Sequence, residues 1–297
     1  MVYTIKLVNK DNILEVTNTD ASVYGKIYLD KGASLQELTL NNHNIIQDLS
    51  PLDYATTYAS SILFPFANRI KDGIYSFNDS QYEFPINVRD EQNALHGLVF
   101  NKTFEVVEEN TTEKNAMVAL QYIQTELIDG FPYTFKIKLV YIFSKTALDL
   151  KMYVENTDTK PFPFTVGWHP YFTSNNLFES TLNMNCKEKI ILGDRNITTG
   201  TTPIHENISI KIRDEFFDDC WMLNSDEVVF KTPKYNLKFN ATGNNNFIQA
   251  YTPPRKNTIA IEPTTGVSDS FNNKIGLQTL PPNESYEITW NVKISNN

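Results

Sequence analysis

Three short segments carry ionisable side chains that cannot be explained as solvated surface. In Phe64-Pro65-Phe66-Ala67-Asn68-Arg69-Ile70 an asparagine and an arginine sit in an apolar, aromatic run, where a guanidinium needs acceptors to offset its desolvation. Arg69 therefore either pairs with a structural carboxylate or reaches a ligand. His96, in Asn93-Ala94-Leu95-His96-Gly97, taken alone reads more readily as a turn histidine than as a functional one. In Phe164-Thr165-Val166-Gly167-Trp168-His169-Pro170-Tyr171-Phe172, the proline disfavours helical geometry at His169 and leaves it extended among aromatic rings. Aromatic faces beside polar donors suit a sugar, whose C–H faces stack while its hydroxyls hydrogen-bond. The competing reading is a core aromatic cluster with a satisfied histidine. In Thr258-Ile259-Ala260-Ile261-Glu262-Pro263-Thr264 a carboxylate follows an apolar strand and again precedes a proline. Poor hydration raises a carboxyl pKa unless cations or donors compensate, which tunes a general base; a salt-bridged structural glutamate is the alternative. Asp218, in Phe217-Asp218-Asp219-Cys220-Trp221, adds an acid beside aromatic residues.

Other chemistries find little support. The 4 histidines (His43, His96, His169, His205) show no HxH or HExxH spacing, so no metal is expected. The 2 cysteines, Cys186 and Cys220, lie in no CxxC and beside no histidine, and are expected to stay reduced. No GxSxG elbow is present. The 11 glycines come no closer than seven positions apart, at Gly25/Gly32 and Gly193/Gly200, which excludes both dinucleotide and phosphate glycine loops. What remains is proton transfer by carboxylates and imidazoles, with no cofactor. Lys and Arg number 26 against 35 Asp and Glu, for a net charge of -9, and no basic patch forms, so nucleic acid is not an expected partner. No basic leader precedes an apolar stretch, and no apolar run approaches the ~20 residues of a membrane span. A cytoplasmic protein without a membrane partner is the expectation, and Asn-x-Ser/Thr triplets such as Asn196-Ile197-Thr198 are read as chance.

The elements that must position these residues are strands. Phe135, Ile137, Leu139, Tyr141 and Phe143 alternate with Lys136, Lys138, Val140 and Ile142, a period of two. Comparable runs occur at 13–16, 23–29, 35–40, 104–107, 118–123, 148–154, 228–230, 237–239 and 286–294, and the N-terminal 1–10 reads as an amphipathic strand. Asn41-Asn42, Asp129-Gly130, Asn156-Thr157-Asp158 and Gly243-Asn244-Asn245-Asn246 punctuate them. No helical period persists over three turns. The pattern predicts an all-β fold, a large antiparallel β-sandwich with few short helices, as one domain over residues 1–297.

Taken together, the segments resemble the aldose 1-epimerase (galactose mutarotase) family. The matching pieces are Gly32-Ala33-Ser34-Leu35, Asn68-Arg69-Ile70, Leu95-His96-Gly97, His169-Pro170-Tyr171-Phe172, Phe217-Asp218 and Ile261-Glu262, with Asp269 beyond it, all in the family's order. The resemblance implies a mutarotase-like supersandwich whose open cleft interconverts the α and β anomers of a free hexose. It also implies that Glu262 is the general base on the C1 hydroxyl and that His169 donates a proton to the ring oxygen. His96, Arg69, Asp218 and Asn68 would bind and orient the sugar. Hemiacetal opening needs a base at O1 and an acid at O5 together, with the roles reversed on closure. Gly167-Trp168 before the histidine and Leu98 after Gly97 depart from the family pattern and mark a divergent branch. A hexose-6-phosphate epimerase, with Lys71 and Arg255 as candidate rim cations, and a non-catalytic carbohydrate-binding protein are the alternatives. A glycoside hydrolase using Asp218 and Glu262 is a further class.

Overall fold

The computed structural model describes residues 2–8, 11–213, 217–243 and 246–297, with only the backbone described at 205. The expected turn at Asn244-Asn245 lies outside the described residues. Strands account for 58% of the chain and helix for 5%, and 19 strands hydrogen-bond into one large sheet. Two limbs of that sheet meet at the long strand Asp218–Lys231. The first runs outward through Phe247–Tyr251, Thr258–Thr264 and Tyr171–Thr173, then through His43–Ile46, Ser34–Leu40, Tyr24–Tyr28, Ile13–Asn18 and Tyr3–Val8, every pair antiparallel. The second runs through Tyr235–Ala241, Ser285–Asn296, Ala147–Asn156, Phe135–Ser144, Asn115–Gln124 and Glu105–Thr111, again antiparallel.

The limbs fold face to face. A Cβ on Gly25 would lie 2.4 Å from the Phe143 ring, and the Tyr141 hydroxyl donates to the Ala33 carbonyl at 2.9 Å. Alternation explains the seam: Phe135, Ile137, Leu139, Tyr141 and Phe143 are all buried while their neighbours along the strand are half exposed. One buried cluster extends from Tyr3 to Ile294. Each large apolar side chain in it contributes about 1.5–3 kcal/mol of transfer free energy.

Among the described residues, helix is confined to Tyr54–Thr57 and Ser270–Asn273, with short 3-10 turns at Leu177–Glu179 and Asp194–Asn196. Asp53 caps the first helix through Ala55 N–H, and Tyr58, left-handed at φ 49°, ends it. Beneath the loop that carries Asn68 and Arg69 lies an aromatic floor, in which Phe64 meets Phe135 at 4.8 Å and Phe131 at 6.0 Å between centroids. That floor is rigid packing on which a polar cleft can be built.

Candidate active site

Strand register brings His169 and Glu262 together. Gly167 pairs with Thr264 and Tyr171 with Ala260, so His169, midway between the two, falls opposite Glu262. Pro170 breaks the strand there, leaving its carbonyl to accept from Ile261 N–H at 3.2 Å. The His169 backbone is clamped from the other side, with its N–H donating to Ser61 and its carbonyl accepting from Ser60. On the far side of the Thr258–Thr264 strand, Gln249 pairs with Glu262 and Tyr251 with Ala260, while Asp218 pairs with Tyr251. Because side chains alternate, Asp218, Gln249, Tyr251 and Glu262 share one face. Gln249 Nε2 donates to Asp218 Oδ1.

The remaining wall is a short two-stranded sheet, Arg69–Lys71 against Asn93–Leu95. It sets Asn68 and His96 next to each other, with His96 N–H donating to the Asn68 carbonyl at 2.9 Å. Both residues are left-handed, at φ 61° and 62°, a conformation costing of order 1–3 kcal/mol that persists where surroundings impose it. Gly97 makes this possible: at φ 74° a Cβ there would lie 2.1 Å from the Phe64 carbonyl oxygen. Asp269 matches a family position and does not line the cleft. It fixes the wall instead, donating from its backbone to the Arg69 carbonyl at 2.7 Å and accepting from Lys71 N–H at 3.0 Å.

These elements enclose a cleft of ≈ 140 Å³ lined by Asn68, Arg69, His96, His169, Asp218 and Glu262, together with Thr56, Thr57, Tyr58, Leu95, Tyr171, Gln249 and Tyr251. All six residues singled out from sequence therefore converge. Glu262 is 3% exposed and His169 5%, and His169 Nε2 lies 3.3 Å from Glu262 Oε1. The His96 ring stands edge-on to His169 at 4.9 Å between centroids, and Tyr58 packs against His96 at 4.8 Å. Among the described residues, His169 is the only ion-pair partner of Glu262, so the salt-bridged structural glutamate does not apply. Arg69 does have a structural carboxylate: Glu91 binds it through two hydrogen bonds. His96 is both a turn histidine and a lining residue.

Burial pushes the Glu262 carboxyl well above its ordinary range, and the nearby Asp218 charge adds to the shift. Burial pulls the His169 imidazole down to about 4. His96 is lowered well below its usual value by burial, then by His169 and Arg69. The Asp218 carboxyl is raised by burial, against the opposing pull of Arg69 and the Gln249 hydrogen bond. Four buried polar atoms of the lining residues, Thr57 Oγ1, His96 Nδ1, His169 Nδ1 and Gln249 Oε1, have no hydrogen-bond partner among the described residues. Such atoms are costly unless a ligand or water satisfies them.

Sequence reasoning had assigned no role to Gln249, Tyr251, Tyr58 or Glu91. A lone amide within the apolar strand Phe247–Tyr251 was an available signal for Gln249. Glu91 sits in the polar loop Arg89-Asp90-Glu91-Gln92, where nothing distinguishes it. The proposed phosphate-site cations are not in the cleft: Arg255 lines two other surface cavities, and Lys71 is exposed and absent from the cleft lining.

The fold has many solved counterparts. A galactose mutarotase-like protein from Clostridium acetobutylicum superimposes with a TM-score of 0.87 at 19% identity, covering 99% of this chain and 98% of that one. Galactose 1-epimerase from Lactobacillus acidophilus NCFM gives 0.80 at 18% identity, covering 99% and 98%. In sequence, the uncharacterized protein YihR of Escherichia coli (strain K12) is 23% identical over 289 residues, 92% of this chain and 91% of that protein. The aldose 1-epimerase family pattern matches residues 17–293, and the chain belongs to that family. Among the described residues, no helix is long and apolar enough to cross a membrane.

Proposed function

We propose that the protein is an isomerase, an aldose 1-epimerase that interconverts the α and β anomers of a free hexose. The observation that carries this reading is the buried 3.3 Å contact between His169 Nε2 and Glu262 Oε1 at the floor of a polar cleft. Burial favours the uncharged pair, carboxylic acid beside neutral imidazole. Moving that one proton from carboxyl to imidazole gives the working pair, carboxylate and imidazolium, without exchange with bulk water. Glu262 then takes the proton of the C1 hydroxyl while His169 protonates the ring oxygen, and the C1–O5 bond opens to the aldehyde. Rotation about C1–C2 followed by closure with reversed roles yields the other anomer. The pair ends as it began.

Asp218 and Gln249 on one side and Arg69, Asn68 and His96 on the other would hold the remaining hydroxyls. Tyr171 and Tyr251 offer ring faces to the sugar's C–H surface. Among the described residues, Arg69 is the only lysine or arginine in the lining, and Glu91 already binds it; this favours a free sugar over a sugar phosphate. Retention of both acid and base favours turnover over binding alone. Polarimetry on freshly dissolved α-glucose and α-galactose tests the reading. Acceleration that disappears in Glu262→Gln and His169→Asn is expected; no acceleration by the wild-type protein, or full activity in Glu262→Gln, rejects it.

A further inference from the structure

Arg69 enters the cleft with one edge already taken. Glu91 Oε2 accepts from Nε at 2.5 Å and Oε1 from Nη2 at 2.9 Å, while Asn68 Oδ1 accepts from Nη1 at 3.0 Å. The carboxylate is itself held, by Asn93 Nδ2 at 3.3 Å and by Asn196 Nδ2 at 3.0 Å. Asn196 belongs to the turn of the long hairpin formed by Thr181–Leu192 and Thr198–Lys211, and that turn is pinned in place. The Asn196 carbonyl accepts from Ser268 Oγ at 2.7 Å, and the Arg195 guanidinium donates to Asp72 at 2.7 Å and to Asn93 Oδ1 at 2.8 Å. The Arg69 and Glu91 side chains are 14% and 23% exposed, so their charges cancel at short range and away from most of the solvent.

An unpaired arginine in a half-buried cleft is the group proteins use to fork onto carboxylate or phosphate. Here its charge is cancelled by a carboxylate that four donors orient. The other ionisable groups of the lining are two carboxyls, Asp218 and Glu262, the imidazoles His96 and His169, and the phenols of Tyr58, Tyr171 and Tyr251, which burial keeps uncharged. Nothing is left to compensate a substrate charge.

We propose that Glu91 is a positioning residue that sets the charge specificity of the site: by neutralising and orienting Arg69 it admits uncharged aldoses and excludes aldoses bearing a carboxylate or phosphate. This rests on the epimerase reading above and names its substrate class. Replacing Glu91 by Gln removes the negative charge and one of the two acceptors facing Arg69, freeing an N–H and a net positive charge toward the cleft.

The test compares mutarotation of D-glucose, D-glucuronate and glucose 6-phosphate by the wild-type protein and by Glu91→Gln. The expected wild-type kcat/KM favours glucose by at least about tenfold, and the anionic-to-neutral ratio rises at least about tenfold in Glu91→Gln, whatever factor both sugars share. A general loss of fold or activity lowers all three sugars together and does not move that ratio. A second measurement needs no variant: raising ionic strength screens the repulsion, so the wild-type KM for glucuronate falls while that for glucose holds. Equal wild-type kcat/KM for glucose and glucuronate, or an unchanged ratio in Glu91→Gln, overturns the proposal. If the wild-type protein accelerates no sugar, the epimerase reading fails by itself. Calorimetric binding of glucose and glucuronate then reads the charge preference directly, and equal affinities overturn it.

Discussion

Replacing Glu262 by Gln tests the burial argument on stability as well as on activity. The carboxyl is 3% exposed and, among the described residues, is ion-paired with the His169 imidazole alone, at 3.3 Å. Its folded-state pKa is therefore raised by burial, and further by Asp218, above the ordinary value of about 4.3 that the unfolded chain shows. A raised carboxyl supports the fold below that unfolded value, and the support is lost as pH climbs through the folded one. Each pKa unit of difference corresponds to about 1.4 kcal/mol. Gln has nearly the same shape and never ionises, so the variant avoids this loss. Its advantage is absent near pH 4 and grows toward pH 8, where a poorly partnered buried group costs about 1–3 kcal/mol. At about 2–4 °C per kcal/mol for a domain of this size, Tm rises by roughly 2–12 °C at pH 8. Scanning calorimetry of both proteins between pH 4 and 8 measures the difference. Over the same range polarimetry reads activity, expected to fall about 10²–10⁴-fold with loss of a general acid–base group. A Tm difference that does not change with pH, or a variant less stable than wild type at pH 8, refutes the raised carboxyl. A more stable protein with little activity is the outcome expected of a strained catalytic group.

Other expectations follow from the same geometry. Because the His169 imidazole is pulled down to about 4, the pair gains a second proton and loses its base only below that pH; kcat/KM should hold through pH 5 and fall as pH drops through about 4, as stopped-flow polarimetry would show. Gly97→Ala places a Cβ 2.1 Å from the Phe64 carbonyl oxygen at φ 74°, and left-handed strain plus overpacking should cost roughly 2–5 kcal/mol, a Tm drop that calorimetry would detect. Gly25→Ala meets the Phe143 ring at 2.4 Å, a side chain able to shift, so its cost stays at about 1–3 kcal/mol with activity retained per folded molecule. One buried cluster spans Tyr3 to Ile294, and the chain from 1 to 297 should unfold in a single calorimetric transition; two resolved peaks would divide it into separate domains.

Strands that bury one face were legible because alternation is a local signal. Phe135–Ser144 and Ala147–Asn156 show it over ten residues each, and the sequence pattern located both. Thr198–Lys211, TTGTTPIHENISIK, carries no such signal. It pairs with Thr181–Leu192 along one edge and exposes much of its length, so packing dictates little of its composition. Missing that hairpin also hid its turn, and with it Asn196 and the network behind Arg69. Glu91 could not be found for a related reason: its role depends on Arg69 lying across a two-stranded pairing, Arg69 with Leu95 and Lys71 with Asn93. The six residues that were found carry their own contrast, each a polar or charged group set among aromatic or apolar neighbours. Lys71 and Arg255 were named as phosphate candidates from sequence position and charge alone. Charge does not report which face of a strand or loop it occupies, and neither residue lines the cleft.

What sequence could not supply is the distance between His169 and Glu262, which depends on register. Gly167 faces Thr264 and Tyr171 faces Ala260; a slip of one residue in either pairing would turn Glu262 into the core beneath and leave His169 opposite an aliphatic side chain. Pro170 suits this place because it sits where the ladder must open to let the imidazole reach across, and it needs no N–H there. The preceding residues hold the register: Trp168 is fully buried, and a Cβ on Gly167 would press on Thr264 at 3.0 Å and Leu63 at 3.1 Å. Gly167 and Trp168 are also the residues that depart from the family pattern before the histidine. They contribute packing beside His169 and no polar group to the cleft lining, so divergence there is compatible with the proposed reaction.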